Sequence, residues 1–437
     1  MLGEAICLEL LEAALAACEC DQAEAILYST NSSLTRFADS VIHQNVAERE
    51  VMISIRAVLG KRIGCARGNQ PTKDEVQSVA RRAADLARVS AEDEHFVSLP
   101  GPQPLPEVPT YSDATAASTP ESRAKAVANI AAIAEKHGGR ASGSFAADSA
   151  EIAVANSLGL RAYFPATDAS LITVIADDDS SGYAEWRGTD LSRLDPEALA
   201  HTAARKCVDG RGAEAVPPGQ YTVILEPLAV GDMLFMLGYM GFGATAFQEG
   251  RSFMCDRIGE KIAGDNITIW DDATDPCQRA VPCDWEGVPK RKTVLIESGV
   301  ARSVVYDSYT AGKEGKQSTG HALPAPNTLG PLPTHLFLAA GDAAPEDMVA
   351  NTNRGILVTR FHYTNIIHEK QTIFTGMTRD GTFLIEDGKV TKPVKNLRFT
   401  QSIVDALSNV EMIGRGAQLT EYAYVPALKI ASFSFTS

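Results

Sequence analysis

The sequence predicts an α+β protein with two N-terminal modules, each a helix, a strand meander and a second helix, and then a β-rich C-terminal domain. Three observations predict this architecture. The order of helical and β-prone segments is the same in residues 1–99 and 111–216, a proline-rich linker occupies 100–110, and residues 217–437 are mostly short β-prone runs bounded by turn residues. A chain of 437 residues is long enough for two or three domains and a large core.

The first module opens with a helical stripe of apolar residues over 3–19. Short β-prone runs bounded by Asn, Ser or Gly then predict separate strands at Ala25–Tyr28, Leu34–Phe37 and Val51–Leu59. Thr72 and Glu75 have the spacing of a capping box, which predicts a helix from there to about Val89.

The second module repeats this order after five prolines between Pro100 and Pro109, which predict a stiff, extended linker. Pro120 follows a Ser-Thr pair and predicts a helix start, and Asp195 predicts the cap of a second helix. Between them the predicted strands are Ser142–Phe145, Glu151–Ala155, Leu160–Phe164 and Leu171–Ile175. The repeat indicates two related modules.

Two Asp-Gly pairs stand out in the C-terminal domain. Asp380-Gly381 and Asp387-Gly388 bracket the apolar run Phe383–Ile385. Asp-Gly supplies the positive-φ residues that tight hairpins require, so both pairs predict turns of a β-meander.

Composition excludes some function classes. A net charge of −15 argues against direct binding to nucleic acid, whose phosphates require Lys and Arg. The eight cysteines contain no C-x-x-C pair, the N-terminus lacks a basic signal region, and the longest apolar run, Met233–Ala246, is too short to span a bilayer. We therefore expect a cytoplasmic protein with reduced thiols and no membrane partner.

Three C-terminal stretches carry a family resemblance: Thr359–Asn365, Thr375–Lys389 and Pro393–Phe399. Their order and residue identities resemble the signature of the TldD/PmbA family. Its members were once labelled modulators of DNA gyrase and are now regarded as peptidases that work in pairs. The resemblance implies proteolysis of small or unfolded peptides by a zinc member together with a zinc-less one.

The resemblance also implies which member this chain is. The family's catalytic member carries a His-Glu-x-x-x-His helix after a strand that ends at a proline, here Tyr221–Pro227. The ligand and base positions fall on or near Phe235, Met236 and Met240. None of them is imidazole, carboxylate or thiolate, the groups that bind zinc.

A cysteine ligand of the catalytic member is absent as well, because the matching segment, Ile413–Gln418, has no cysteine. The resemblance therefore implies a chain without catalytic residues, metal or other cofactor, with zinc expected only in a TldD-like partner. The expected partners are that TldD-like subunit, or a second copy of this chain as a homodimer, and a peptide substrate.

Further residues in the resembling segments are expected to contact substrate or partner: Arg251, Ser318, Thr319, His321, Arg360, Tyr363, Thr375 and Arg379. For Arg251 a surface or interface salt bridge is the preferred interpretation. The apolar run Met233–Leu237 is expected to be buried in a core or against a partner, because a cytosolic protein rarely leaves such a run exposed. With the family's pairing in mind, we predict a stable dimer through the C-terminal half.

Two alternatives from other classes stay open. One is a self-sufficient hydrolase with ligands that the family does not use. The other is a homo-oligomeric binding or regulatory protein without a peptidase partner.

Overall fold

The computed structural model describes all residues from Met1 to Ser437. The first module comprises α1 (Glu4–Ala17), β1 (Gln22–Ala38), β2 (Val41–Leu59), β3 (Arg62–Gly68) and α2 (Lys73–Val89). The Thr72 hydroxyl accepts a hydrogen bond from the Glu75 amide at 3.3 Å, as the capping pattern predicts.

The first two strands are much longer than predicted. The segments Ala25–Tyr28 and Leu34–Phe37 belong to one 17-residue strand, β1, which turns into β2 at Asp39 and Ser40, both with positive φ. The polar residues between the two predicted segments do not end the strand, because β1 is central and its backbone is paired on both sides.

The second module comprises α3 (Asp113–Ala116), α4 (Pro120–Lys136), β4 (Arg140–Asn156), β5 (Arg161–Ala176), β6 (Ser181–Gly188) and α5 (Pro196–Asp209). A single 3-10 turn, Leu191–Arg193, joins β6 to α5. Thr119 and Ser122 form a capping box at the start of α4, and Asp195 accepts the Ala198 amide at 3.0 Å at the start of α5. Each of the two predicted strand pairs here is again one long strand.

The two modules share one antiparallel sheet with the order β3-β2-β1-β4-β5-β6. The modules meet at the β1–β4 pair, where Asn31 lies opposite Ser149. Helices α1 and α2 cover the first half of one face, and α4 and α5 cover the second half. Residues of the opposite face, including Ile26 and Phe164, pack against a C-terminal loop around Cys283.

The C-terminal domain has eleven strands around the largest core of the molecule. Its elements are β7 (Gly219–Leu225), α6 (Pro227–Gly241), α7 (Ala244–Gln248), β8 (Ile269–Asp271), β9 (Thr293–Glu297), β10 (Val300–Ala301), α8 (Ser308–Lys313), β11 (Leu336–Leu338), α9 (Pro345–Ala350), β12 (Arg354–His368), β13 (Ile373–Glu386), β14 (Lys389–Pro393), β15 (Arg398–Ser402), α10 (Ile403–Ser408), β16 (Val410–Leu419) and β17 (Ala423–Phe435). The main path runs β10-β9-β8-β11-β17-β15-β13-β12-β7, and β17 also pairs with β7, which closes a ring of five strands.

The two Asp-Gly pairs have different roles. Asp387-Gly388 makes the β13–β14 hairpin, as predicted. Asp380-Gly381 lies inside β13, where the register against β12 shifts, so its prediction as a turn is wrong. The positive φ of both residues is used for a bulge that directs the Asp380 carboxylate toward Arg360, at 2.7 Å, and Ser181, at 2.5 Å.

None of the helices combines the length and apolar character that crossing a bilayer requires.

Candidate functional site

Helix α6 occupies the position where the resemblance places a zinc-binding helix. It starts at Pro227, directly after β7, and packs across β12 and β17. Met233, Leu234, Leu237 and Met240 are fully buried in the core of the chain itself. Most of this apolar run is therefore buried by the chain's own strands, which is the core alternative, and the dimer stays a prediction.

The three degenerate positions are packed by hydrophobic groups. Met240 is 1% exposed in the core, Met236 packs against that core, and the half-buried Phe235 stacks on Tyr422 with ring centroids 4.0 Å apart. No group of three or more His, Cys, Asp or Glu side chains in the chain is arranged to hold a metal ion. The residues at this site do not fit zinc.

Asp232 is a polar feature of α6 that sequence reasoning missed. It lies four residues before Met236, is partly buried, and makes no hydrogen bond or ion pair within the chain. Burial raises the pKa of its carboxyl to about 7 against the opposing charge of Arg360, and Glu185 adds to the rise. A single acid in an otherwise apolar helical run was the signal that could have marked it.

A cavity of about 1120 Å³ lies between the second module and the C-terminal domain. Its walls are β6, α5, the start of α6 and the Gly-rich segment of β16 around Gly414 and Gly416. These last two elements are the ones to which the resemblance assigns the metal-ligand positions. An open space thus lies beside the start of α6.

Charged side chains line the cavity on several elements: Arg187, Arg193, Arg205, Lys206, Arg415, Glu185, Asp190 and Glu226. Lys206 pairs with Glu226 and donates to the Thr359 hydroxyl at 3.0 Å. Glu185 accepts from the Tyr183 hydroxyl at 2.5 Å and lies 3.4 Å from Arg187. Part of the lining is therefore a satisfied polar network.

Arg360 is a predicted contact residue that touches the cavity lining through Tyr183. Its guanidinium bonds Asp380 and stacks over the Tyr183 ring at 4.2 Å. Asp380 also accepts from Ser181 of β6, so Arg360 ties the second module to the C-terminal domain. Arg379 lies 3.9 Å from the same carboxylate and is half exposed.

Other predicted contacts are dispersed. Tyr363 is 77% exposed in a positive-φ position of β12, and Thr375 is buried and donates to the Phe399 carbonyl at 2.6 Å. Arg251 bridges Glu249 and Glu369, each at 2.7 Å, which is the salt bridge that the sequence favours. None of these residues lines the cavity.

His321 has no surface to offer a ligand. It is 1% exposed, with Nε2 2.8 Å from Asp271 and Nδ1 2.8 Å from the Thr319 hydroxyl. Burial lowers the pKa of His321, and Thr319 donates in turn to the Tyr306 carbonyl. Together with Ser318, which donates to the same carbonyl, these residues fix a loop onto β8 rather than line the cavity.

Three domain models of one family match the chain. The PmbA/TldA metallopeptidase domain 1 matches residues 23–87, the central domain matches 109–210, and the C-terminal domain matches 218–437.

Curated relatives match over part of their length. A metalloprotease of Methanothermobacter thermautotrophicus is 28% identical over 57% of this chain and 57% of its own. A metalloprotease TldD homolog of Haemophilus influenzae is 27% identical over 51% of this chain and 46% of its own. The chain thus spans about half the length of the curated relatives it matches.

A solved structure extends the likeness of fold to the whole chain. The crystal structure of TldE from Thermococcus kodakarensis superposes with a TM-score of 0.90, covering 99% of this chain and 100% of that one at 22% identity. At that identity the likeness shows the α+β fold alone. Since the family models cover most of the sequence, the chain belongs to the metallopeptidase-like PmbA/TldD family.

Proposed function

We propose that this chain is the zinc-less subunit of a two-chain peptidase and pairs with a TldD-like catalytic chain to degrade or process peptides. One observation carries the proposal: the helix in the family's zinc-binding position presents Phe235, Met236 and Met240, two of them packed into the hydrophobic core. Zinc and the general base are then supplied by the partner, and this chain contributes the wall of the peptide chamber.

The open space beside α6 supports a role in that chamber. Protein interiors are close-packed, so a purely structural role does not account for a cavity of about 1120 Å³ next to the start of α6. In a cell that has no TldD-like chain, the proposal takes another form, in which this chain forms a homodimer.

A self-sufficient hydrolase is the second candidate, and Asp232 is the observation that favours it. A carboxyl with a pKa of about 7 lies in the range that suits a general acid or base at neutral pH. This candidate requires catalysis by the chain alone.

The test combines metal content with activity. The purified chain alone is expected to hold less than about 0.1 zinc per chain and to cleave no casein or unfolded peptide. A tagged chain isolated from its native cell is expected to bring a TldD-like protein in equal amount, with zinc and chelator-sensitive proteolysis in the complex. Stoichiometric zinc with proteolysis by the chain alone would contradict the proposal.

Asp232→Asn separates the two candidates. It should leave the activity of the complex largely intact if catalysis belongs to the partner. Activity of the chain alone that is abolished in Asp232→Asn would establish the second candidate instead.

A further inference from the structure

The cavity differs in charge from the rest of the molecule. The whole chain carries a net charge of −15, yet the cavity lining has five basic side chains (Arg187, Arg193, Arg205, Lys206, Arg415) and three acidic ones (Glu185, Asp190, Glu226), which leaves a surplus of two positive charges. A basic cleft on an acidic protein raises the local concentration of anionic ligands.

All three acids are already satisfied within the chain. Glu226 pairs with Lys206, and Glu185 has Tyr183 and Arg187. Asp190 accepts from the Ser112 hydroxyl at 2.9 Å and from the Ser192 amide at 3.0 Å. Glu226 and Glu185 are thus paired with Lys206 and Arg187, and the charge of Asp190 acts on the nearby Arg193, so the surplus of two positive charges remains.

Three arginines have no such partner. The guanidinium groups of Arg193, Arg205 and Arg415 are exposed, make no side-chain hydrogen bond, and have no carboxylate within 4.0 Å. They come from the 3-10 turn, from α5 and from β16, so the fold brings together three separate parts of the chain. Unpaired guanidinium forks are suited to bidentate contacts with carboxylates.

The uncharged lining indicates an extended ligand. Trp186, Leu228 and Leu357 supply apolar wall between the arginines. The strand β6 has one edge without a strand partner, whereas the outer edge of β16 is hydrogen-bonded to Ala343 at Ile413 and Arg415 and has no strand partner beyond that point. The Gln418 side chain of β16 reaches the Glu185 carbonyl of β6 at 3.5 Å, so the two edges face each other here. Free strand edges bind extended backbone.

We propose that this cavity binds a peptide segment in extended form whose carboxylate groups are held by Arg193, Arg205 and Arg415. The inference rests on the proposed function, to which it adds an acidic class of peptide. A volume of about 1120 Å³ exceeds the range typical of small-molecule sites and admits several residues of a peptide.

The experiment is fluorescence anisotropy with the purified full chain and three fluorescein-labelled probes. The first is a peptide of about ten residues, Ala and Ser with Glu at three alternate positions and a free C-terminus. The second has Lys in place of each Glu and an amidated C-terminus, and the third is an oligonucleotide of ten thymidines. We expect the acidic peptide to bind at least about tenfold more tightly than the other two, and more weakly as salt is raised.

Charge reversal locates the site. Arg205→Glu combined with Arg415→Glu should weaken the acidic peptide at least about tenfold. The matched control is Arg81→Glu, because Arg81 is another exposed arginine without a carboxylate partner and lies on α2, away from the cavity. Circular dichroism checks that each variant is folded, and Arg193→Gln is the milder variant if the double reversal is not.

The outcomes are distinct. No preference for the acidic peptide, equal loss in Arg81→Glu, or tighter binding of the oligonucleotide overturns the inference. If the chain forms an active zinc complex but fails this binding test, the inference is wrong and the proposed function stands. If the chain binds the acidic peptide through these arginines but no peptidase partner is found, the binding site stands and the proposed function is wrong.

Discussion

The N-terminal sheet meets the C-terminal domain along two seams that are built differently. At the first seam, Arg56 of β2 donates to Glu24 at 2.7 Å and to Glu286 at 3.0 Å, and the Tyr28 ring packs edge-on against Trp285. At the second seam, Arg360 and Asp380 join the domains on one side of an open cavity, and three arginines stay unpaired.

This difference separates stability from binding. The first seam shares one cation between two buried carboxylates, which is costly unless every partner is in place. The second seam tolerates unpaired cations because they are exposed to solvent. The first seam should therefore respond to mutation in stability, and the second in ligand affinity.

The largest expected effect is the loss of Arg56. Arg56→Met leaves Glu24 and Glu286 buried without their cation, so we expect the free energy of unfolding to fall by roughly 3–5 kcal/mol at pH 8. The matched change at the second seam, Arg205→Met, removes an exposed and unpaired cation and should cost less than about 0.5 kcal/mol. Urea denaturation of both variants measures the contrast, and equal losses would remove the distinction between the seams.

The pH dependence of the first seam is a smaller effect with a defined sign. Burial raises the pKa of Glu24 from 4.5 to about 7, with Arg56 opposing the rise and Glu286 adding to it. Because the pKa is higher in the folded state, the folded protein binds more protons between about pH 4.5 and 7. The stability that this proton contributes is present at low pH and is lost as the pH rises through that window.

Glu24→Gln removes the titrating group and keeps an oxygen that accepts from Arg56. Relative to this variant, the wild type should lose up to roughly 3 kcal/mol of unfolding free energy between pH 4.5 and 7.5. Urea midpoints across this range, for both proteins, give the difference directly. Parallel stability curves, or a wild type that gains relative to the variant as pH rises, would refute the assignment.

The features that could be predicted well from the sequence are those set by local signals. The caps at Thr72, Thr119 and Asp195 and the hairpin at Asp387-Gly388 all depend on residues within a few positions of one another. Both modules share one sheet because β1 pairs with β4, with Asn31 opposite Ser149. No local sequence pattern encodes this long-range pairing. The same limit explains why one strand, β1, was predicted as two.

The site divides in the same way. The lack of zinc-binding groups at Phe235, Met236 and Met240 is visible directly in the sequence, once the resemblance assigns the ligand positions there. The cavity is not visible there, because Arg193, Arg205 and Arg415 converge only through the packing of the second module on β16. Burial was also invisible, which is why His321 was expected at a contact surface and lies in the interior.

Labelling of two native cysteines measures how accessible each seam is, without a mutation in either one. Cys277 is an exposed thiol in the lining of the cavity, whereas Cys283, six residues later, is buried among Ile26, Phe164 and other residues of the first seam. Both thiols are free in the structure. Burial raises the pKa of both, that of Cys283 to about 12.

We expect iodoacetamide at pH 8 to modify Cys277 in the native protein and to reach Cys283 only after unfolding, because alkylation requires both access and thiolate. Peptide mass spectrometry must follow each site separately, since hydrogen bonding by Cys18 lowers the pKa of Cys20 to about 7 and makes Cys20 a fast competitor. A saturating concentration of the acidic peptide should slow Cys277 and leave Cys20 unchanged, because only Cys277 lines the cavity. Rapid native labelling of Cys283 would show that the first seam opens readily, and protection of Cys277 without peptide would show that the second is closed.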